Sequence, residues 1–532
     1  MLFVASAGVV LVLASMVALN AALPDIAVET SATQTQLTWI VDGYTVALAC
    51  LLLPAGALGD RYGRRGALLV GLAIFTLASA APVIWHDPWQ VIASRAVAGI
   101  GAALIMPATL SLITSAFPRA ERNKAVGVWA GVAGCGAILG MLGAGLLLMF
   151  FEWPSLFYGL AGCGLLLGIL TCSIGSSRDD SATPVDWAGA VLIGTAIAVF
   201  VLGVIEVPTR GWDDVLVLCL LAGGVVLASL FAWVQLRTRH PLLDVRLFAS
   251  PAFGTGATGL TFLFFALFGF FYVVMQLLQL VMGYTALQTA FALSPLAVPM
   301  LVLGATMHLA LPKVGLRAAT SIGLLLNAIG FWLMRAVDEN STYLDLAGPM
   351  LINAAGIGLC MAPMTSAIMN AAPDEKQGVA SAVNDATREV GAALGIAVAG
   401  SVLAAGYRDA LMPHLSSAPA ELRDAAANSL GSALAAGQQM GPAGAQLIQQ
   451  AESAFGHAME QALTVLSITL AAGAMLMALW APGRDGRQWT FLRRRHETSE
   501  PMVTAGRFGE HAGEGDQRDA KRARRSGRHR KR

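Results

Sequence analysis

The chain has 532 residues and a net charge of +1, with 56% hydrophobic and only 13% charged residues. Its mean hydropathy is +0.66, which excludes an ordinary soluble globular protein. The apolar runs are continuous and long enough to cross about 30 Å of hydrocarbon as helices, which excludes a transmembrane β-barrel.

The hydrophobic pattern predicts an all-α integral membrane protein with fourteen membrane-spanning helices. The spans lie near residues 2–22, 38–58, 67–85, 90–114, 125–149, 155–173, 187–207, 214–236, 254–282, 290–311, 318–335, 346–370, 378–405 and 459–481. The first run has no basic segment before it and about twenty apolar residues, so it is predicted to be a retained helix and not a secretory signal. All six cysteines fall within spans, and neither a disulfide framework nor a metal cluster is expected.

Basic residues are distributed unevenly between the two sides of the membrane. Most lysines and arginines fall on the side that holds both termini, and few fall on the other: Arg210, Arg335, Arg408 and Arg423. The positive-inside bias therefore predicts a protein of the cell membrane with both termini in the cytoplasm. The tail after Pro482 ends in a basic cluster, which is expected to be disordered and to contact anionic lipid headgroups, with no nucleic-acid partner.

Two short segments recur at nearly equal offsets. Gly-Ile-Gly stands at residues 99–101 and again at 356–358, and a basic link stands at 61–65 and again at 313–317. Two similar membrane halves are the architecture of many secondary transporters, whose substrate lies between halves that rock about it. The repeat therefore predicts a transporter.

The link between spans two and three carries the most specific motif. Residues 56–65 read Gly-Ala-Leu-Gly-Asp-Arg-Tyr-Gly-Arg-Arg, which resembles the signature loop of the major facilitator superfamily. Residues 20–24, 39–44 and 381–391, together with Arg95, resemble the fourteen-span drug:proton antiporter branch of that superfamily. The resemblance implies a major facilitator fold in which two six-helix bundles flank two inserted helices.

This fold predicts four regions along the chain. They are an N-terminal six-helix bundle at 1–173, an inserted helix pair with its links at 174–253, a C-terminal six-helix bundle at 254–481 and a basic cytoplasmic tail at 482–532. Within the C-terminal bundle, residues 406–458 are predicted to lie outside the membrane as short amphipathic helices or a helical hairpin.

Residues 59–65, here called the signature turn, are predicted to act as a conformational latch. By resemblance, they hold the two bundles together on the cytoplasmic side. The glycines permit a tight turn, and Asp60 can face a helix N-terminus or a neighbouring arginine. The latch residues are Gly59, Asp60, Arg61, Gly63, Arg64 and Arg65. No Gly-Lys-Ser/Thr follows, so the turn is not a nucleotide site and ATP is not expected to drive the protein directly.

Charged residues inside the spans are the best functional candidates, because each is costly unless it is paired or solvated. Asp42 and Arg95 lie at matching depths, so they can form a pair that is either structural or part of coupling. Asp385, Arg388 and Glu389 approach one face of span thirteen. A bridge between Asp385 and Arg388 would leave Glu389 able to take up a proton, whereas the alternative is a self-neutralised stripe that holds the C-terminal bundle together.

The chain departs from the antiporter branch at one position that matters. Span one of that branch usually carries an aspartate where this chain has Ser15, so the resemblance implies that the proton is carried elsewhere. The candidates are Asp42 and Glu389. Glu389 is favoured, because Arg95 is expected to hold Asp42 ionised.

A set of polar and methionine residues is predicted to line the substrate cavity. The set comprises Ser15, Asn20, Gln276, Met361, Met364 and Asn384. Span nine is crowded with phenylalanine, tyrosine and methionine, and a subset facing the cavity would form an adaptable apolar wall suited to bulky amphipathic substrates.

Together these features predict a secondary active transporter that exports amphipathic drugs or natural products by proton-coupled alternating access. It is expected to act as a monomer on a small substrate and protons, without cofactor, metal or catalytic residue, and it is not expected to be an enzyme. The alternative is a homologue that does not export: an uptake carrier, a sensor or an assembly partner.

Overall fold

The computed structural model describes residues 1–84, 87–175, 184–337, 341–415, 423, 426–427, 429–484 and 486–488, and across these residues its regular elements are helical, without a strand. The α-helices are α1 Leu2–Ala18, α2 Leu23–Thr30, α3 Gln34–Tyr62, α4 Arg64–Ala80, α5 Pro88–Ala116, α6 Arg119–Phe150, α7 Pro154–Thr171, α8 Trp187–Arg210, α9 Val215–Gln235, α10 Pro251–Gln276, α11 Ala286–Leu293, α12 Ala297–Met334, α13 Tyr343–Ala371, α14 Gln377–Leu411, α15 Leu430–Gln439 and α16 Ala445–Trp480. Short 3₁₀ segments lie at Leu19–Ala21, Ala81–Val83, Val245–Ala249, Ser294–Leu296, Asp374–Lys376, Met412–Leu415 and Gly441–Gly444, and a π-helical turn, Leu277–Val281, continues α10.

The helices account for the predicted number of membrane crossings. In the described chain, thirteen helical segments are long and apolar enough to span a membrane. One of them, Ala286–Met334, is 49 residues long and is broken at Gly315, whose φ of 81° is not helical. A segment of this length with a break in its middle crosses twice, in agreement with the fourteen predicted spans.

Local sequence signals begin several of these helices. Thr33 and Gln36 form a reciprocal capping box at the start of α3, which satisfies two backbone N–H groups that would otherwise lack partners. The Asp87 carboxylate accepts a hydrogen bond from the backbone N–H of Trp89 at 2.9 Å, and Pro88 then opens α5. Proline at the first helical position is favoured because its missing N–H is not needed there.

The last two spans differ from the prediction at the end away from the signature turn. Helix α14 continues to Leu411, and α16 begins at Ala445, before the predicted start at 459. Leu447, Ala451 and Phe455 are buried along one face of this extension, so tertiary packing stabilises helix where the sequence is rich in glutamine and alanine. Within 406–458, residues 406–411 and 445–458 therefore continue the helices of the two spans, and the short helix α15 lies between them.

Close helix packing within and between the two halves uses glycine. The Cα of Gly99 on α5 lies so near the Tyr44 carbonyl of α3 that an added Cβ would come within 2.5 Å of that oxygen. Gly127 on α6 makes the same kind of approach to Gly304 on α12, across the two halves. Small residues let membrane helices approach this closely, where dispersion and Cα–H···O contacts stabilise them.

Helices α8 and α9, the predicted inserted pair, pack against each other, and α8 also contacts α3 and α14. Residues Met1–Gln488 form one compact unit, and the division into two bundles and an inserted pair stays a prediction. Most of the basic tail and the link at 176–183 lie outside the described residues.

Candidate functional site

A cavity of about 280 Å³ lies between the two halves of the chain. Its walls come from α1, α3 and α6 of the first half, from α10 and α14 of the second half, and from α8 of the inserted pair. Asp42 in this wall is 18 residues before Asp60 on α3, roughly 27 Å along the helix axis. The cavity therefore lies in the part of the membrane domain away from the signature turn, whose side of the membrane is here called the latch side.

Most of the cavity wall is apolar. Helix α10 contributes Phe268, Phe271, Tyr272 and Met275, a subset of the aromatic and methionine residues predicted to face a cavity. Helix α8 contributes Val201, Val204, Ile205 and Pro208, which the sequence reading did not anticipate. The one local signal in α8 is Glu206, an acid near the end of an otherwise apolar span, which pairs with Arg210 at 2.7 Å.

The polar part of the wall contains two carboxylates. Asp42 and Thr45 face the cavity from α3, Asn20 from the end of α1, and Glu389 from the middle of α14. Lysine, arginine and histidine do not occur among the lining residues that the structure describes. The cavity is thus an apolar space whose described lining has two acidic side chains and no basic one.

Of the six residues predicted to line the cavity, Asn20 does so. The other five do not line this cavity, and their side chains make contacts elsewhere in the described structure. Gln276 donates to the Tyr272 carbonyl of its own helix at 3.1 Å, and Asn384 donates to Asp385 at 3.0 Å. Met361 and Met364 are buried in the core, where Met364 packs beside Gly259 of α10.

Arg95 does not form the expected pair with Asp42. Its guanidinium donates to the Ser15 hydroxyl at 2.9 Å, to the Ser15 carbonyl at 3.0 Å and to the Ile40 carbonyl at 3.2 Å, and it lies over the Tyr44 ring at 4.2 Å. Arg95 is only 1% exposed, so these neutral acceptors hold a buried cation. Asp42 lines the cavity instead, and the expectation that Arg95 keeps it ionised is corrected.

The three charged residues of span thirteen do meet on α14. Arg388 pairs with Asp385 at 3.4 Å, and its guanidinium lies 4.5 Å from the Phe264 ring centre and 5.7 Å from that of Trp129. Glu389 points into the cavity, and its Oε2 atom has no hydrogen-bond partner in the described structure. Glu389 is therefore the least compensated acid of this group.

The signature turn joins the two halves on the latch side. The Asp60 carboxylate accepts from Arg64 at 2.8 and 3.0 Å, and also from the backbone N–H groups of Gly378 at 2.8 Å and Val379 at 3.0 Å. These N–H groups belong to the first turn of α14, where the helix dipole favours an anion. Asp60 thus binds a helix N-terminus and a neighbouring arginine at the same time, and these are the two partners that the sequence suggested.

Further contacts reinforce this closure. Arg64 donates to the Asp374 carbonyl at 3.1 Å, and Arg119 and Arg122 each bind the Asp374 carboxylate at 3.0 Å. Asn370 donates to Asn123 at 2.9 Å, again across the two halves. The latch side of the protein is therefore closed in this structure.

The remaining residues of the signature turn have separate positions. Gly63 links α3 to α4 with φ 111° and ψ 126°, a conformation that residues with a side chain rarely adopt. Arg65 donates to the Cys172 carbonyl at 2.6 Å, and Arg61 lines a small surface pocket with Lys376. The second copy of the turn works differently, because Arg317 donates to the Ala481 carbonyl at 2.8 Å and so fastens the end of the last span.

Gly63→Ala is expected to impair transport and lower the yield of folded protein. A Cβ at this positive φ costs about 1–3 kcal/mol, and the strain falls on the turn that holds Asp60 and Arg64. Gly59→Ala is the matched control, since its Cβ would meet the nearest atom, the Ala67 Cβ, at an ordinary 3.6 Å. Thermal unfolding and transport assays on both variants check this, and equal behaviour of the two would contradict it.

Comparison with known proteins shows which protein family the chain resembles. The family model for the Major Facilitator Superfamily matches residues 5–396. The multidrug resistance protein Stp of Mycobacterium tuberculosis is 30% identical over 410 residues, which cover 77% of this chain and 76% of Stp. The methyl viologen resistance protein SmvA of Salmonella typhimurium is 31% identical over 467 residues, covering 87% of this chain and 92% of SmvA.

A solved structure agrees with this at the level of the fold. The proton:xylose symporter XylE, bound to 6-bromo-6-deoxy-D-glucose, superposes with a TM-score of 0.58 at 13% identity, covering 93% of this chain and 98% of XylE. At that identity the likeness concerns architecture alone. With a family model over most of its length and relatives at 30% identity or more, the chain belongs to the Major Facilitator Superfamily.

Proposed function

We propose that this protein is a secondary active transporter that exports amphipathic compounds from the cell in exchange for protons. Relatives named for multidrug and methyl viologen resistance support export of such compounds. The cavity between the halves supports a small-molecule substrate, because its aromatic and methionine walls can adapt to molecules of different shape.

The observation that carries the proposal is the pair of acids, Asp42 and Glu389, in a cavity whose described lining has no basic side chain. An unpaired carboxylate within a membrane domain is costly, so it needs a positive partner. That partner is either a proton or the positive charge of a substrate. Because both compete for the same oxygen atoms, binding of one displaces the other, which is the thermodynamic requirement for antiport.

The arrangement of the latch supports alternating access as the mode of transport. Closure around Asp60 and the start of α14 ties the halves together on the latch side, while the cavity lies away from it. We assign the latch side to the cytoplasm, because most basic residues of the links fall there. Release of Asp60 would let the halves part on that side and expose the cavity to the cell interior.

The purified protein in liposomes is expected to move a fluorescent amphipathic cation, such as ethidium, against its gradient when only a pH step is applied. The movement should stop when an ionophore collapses the pH step, and ATP should have no effect because the sequence carries no nucleotide motif. Protons that move in the same direction as the substrate would instead identify an uptake carrier. Absence of any pH-driven flux for a panel of amphipathic compounds would contradict transport and favour a sensor or assembly partner.

A further inference from the structure

One face of α14 carries an unusual row of buried polar side chains. Ser381, Asp385 and Glu389 are four residues apart, and Asn384 and Arg388 lie beside them with the same spacing, so that all five share one face. Each of the five is at most 6% exposed. A polar stripe on a buried membrane helix is costly unless its atoms find partners. Its retention within the packed centre of the protein therefore indicates a role.

Every member of this row has at least one polar atom without a hydrogen-bond partner in the described structure. These atoms are Ser381 Oγ, Asn384 Oδ1, Asp385 Oδ2, Arg388 Nε and Glu389 Oε2. Ser381 is informative within its own helix, because the other serine and threonine hydroxyl groups of α14 bond a carbonyl three or four residues back. Thr387, for example, bonds Asn384 at 2.9 Å, and Ser401 bonds Ala397 at 2.6 Å. The Ser381 hydroxyl makes no such bond and is free to bind water.

The spacing of the row suits bridging water molecules. Residues four apart on a helix are separated by roughly 6 Å along its axis, and one water with two hydrogen bonds spans roughly 5.5 Å. A water between Glu389 and Asp385, and another between Asp385 and Ser381, would satisfy the unpaired oxygens. Buried waters of this kind typically make two to four hydrogen bonds to such groups.

We infer that this row is a hydrated path that carries the proton between Glu389 in the cavity and the latch-side end of α14. The inference rests on the proposed function and assigns Asp385, Asn384 and Ser381 as positioning residues for the proton path. At each step one O–H bond breaks and another forms, so that a proton entering at the Glu389 carboxyl is balanced by one leaving at the far end. The path covers 11 residues from Glu389 to Gly378, roughly 16 Å.

The latch closes the far end of this path. Gly378 and Val379, at the start of α14, donate their N–H groups to Asp60, and Gln377 beside them keeps an unpaired Oε1 atom. Opening of the latch would free this end to water. The same movement that exposes the cavity to the latch side would thus open the proton exit, which couples proton release to the conformational step.

Other charged or titratable groups surround Glu389 and should be left unchanged in a test of the path. They are Asp385 and Arg388 on α14, Asp42 and Tyr44 on α3, Tyr272 on α10 and, beside Asp42, Glu206 on α8. None of them is changed by a substitution at Ser381. Ser381 is therefore the position at which the path can be altered with the least effect on the cavity charge.

The test compares Ser381→Val with Ser381→Thr, which have the same shape and differ in the hydroxyl group alone. Ser381→Val is expected to slow pH-driven transport about tenfold and to raise its solvent isotope effect in D₂O, while substrate exchange at equal pH stays near the native rate. Ser381→Thr should keep both activities. Equal pH-driven rates for the two variants, or an unchanged isotope effect in Ser381→Val, would overturn the path.

A second measurement covers the case in which neither larger side chain is accommodated. Ser381→Cys, in a background without the exposed cysteines Cys163, Cys172 and Cys219, is expected to react with a small hydrophilic thiol reagent about tenfold faster than Ala380→Cys. Both are measured with the latch opened by Asp60→Asn. Equal slow labelling would contradict a hydrated row. If Glu389→Gln loses pH-driven transport but the Ser381 variants do not behave as expected, the hydrated path is wrong and the proposed function stands. If Glu389→Gln keeps pH-driven transport, the proposed proton coupling through Glu389 is wrong.

Discussion

Glu389→Gln is expected to abolish transport driven by a pH step while substrate exchange at equal pH continues. Glutamine keeps the shape of the side chain but cannot bind and release a proton near neutral pH, so the substrate-free protein no longer needs protonation before it returns to the other state. Exchange uses the substrate-loaded protein alone and does not require that step. In proteoliposomes the pH-driven rate should fall at least about a hundredfold, with the exchange rate within a few-fold of native.

The matched control for this variant is Glu206→Gln. Glu206 is a third acid near the cavity, but it pairs with Arg210 at 2.7 Å on its own helix, and it does not line the cavity wall. Its neutralisation should therefore leave coupling close to native. Full gradient-driven transport by well-folded Glu389→Gln protein would show that the proton is carried by another group, with Asp42 the next to test.

Asp60→Asn is expected to open the latch side and to cut transport strongly without removing the substrate site. The carboxylate is 3% exposed and accepts four hydrogen bonds, two from Arg64 and two from the start of α14. The asparagine NH₂ group cannot accept from these donors, and hydrogen bonds to charged groups contribute about 1.5–3 kcal/mol each. Loss of even one shifts a balanced two-state equilibrium by about tenfold or more.

The fraction of the protein in which the latch is closed can be measured by cross-linking one half to the other. Asn370 is exposed and Asn123 is half-buried, and their side chains are 2.9 Å apart when the latch is closed. With cysteines at these two positions, a short bifunctional thiol reagent should cross-link the native background efficiently and the Asp60→Asn protein poorly. Substrate affinity in detergent should change by a few-fold at most, because the cavity is roughly 27 Å away.

Asp374→Asn is the control for the latch variant. Its carboxylate also joins the halves, through Arg119 and Arg122, but its side chain is 48% exposed. The pair with Arg119 is exposed and contributes only about 0–1 kcal/mol. Arg122 is 9% exposed, but the asparagine Oδ1 can still accept a hydrogen bond from it, so this variant should cross-link nearly as well as native protein. Cross-linking of Asp60→Asn at the native rate would show that Asp60 does not set the equilibrium between states.

The sequence predicted the spans well, because they depend on local features, and it located the signature turn as the link between spans two and three. Long apolar runs fix where a helix crosses, and the signature turn combines a glycine with φ 111°, a buried acid and arginines within a few residues. The break at Gly315 was also expected as a link between spans ten and eleven. These properties need no knowledge of how distant helices are rotated toward one another.

The sequence could not show how each helix is turned about its own axis, and so which of its faces meets the cavity. Depth in the membrane can be counted along a span, which is why Asp42 and Arg95 appeared able to pair. The side chains nevertheless point in different directions, with Arg95 toward Ser15 and Asp42 toward the cavity. A span that is apolar on every side gives little indication of which face meets the cavity, and Met361 and Met364, which were predicted to line it, are buried in the core of this structure. The contribution of α8 was missed for the same reason.

The most direct test of the central claim is the proton balance of substrate binding. Purified protein in weakly buffered detergent solution is titrated with an amphipathic cation while a pH indicator reports free protons. If protons and substrate compete for the cavity acids, saturating substrate should release a proton from the native protein and none from Glu389→Gln. Substrate binding to the native protein without any release of protons would contradict the account.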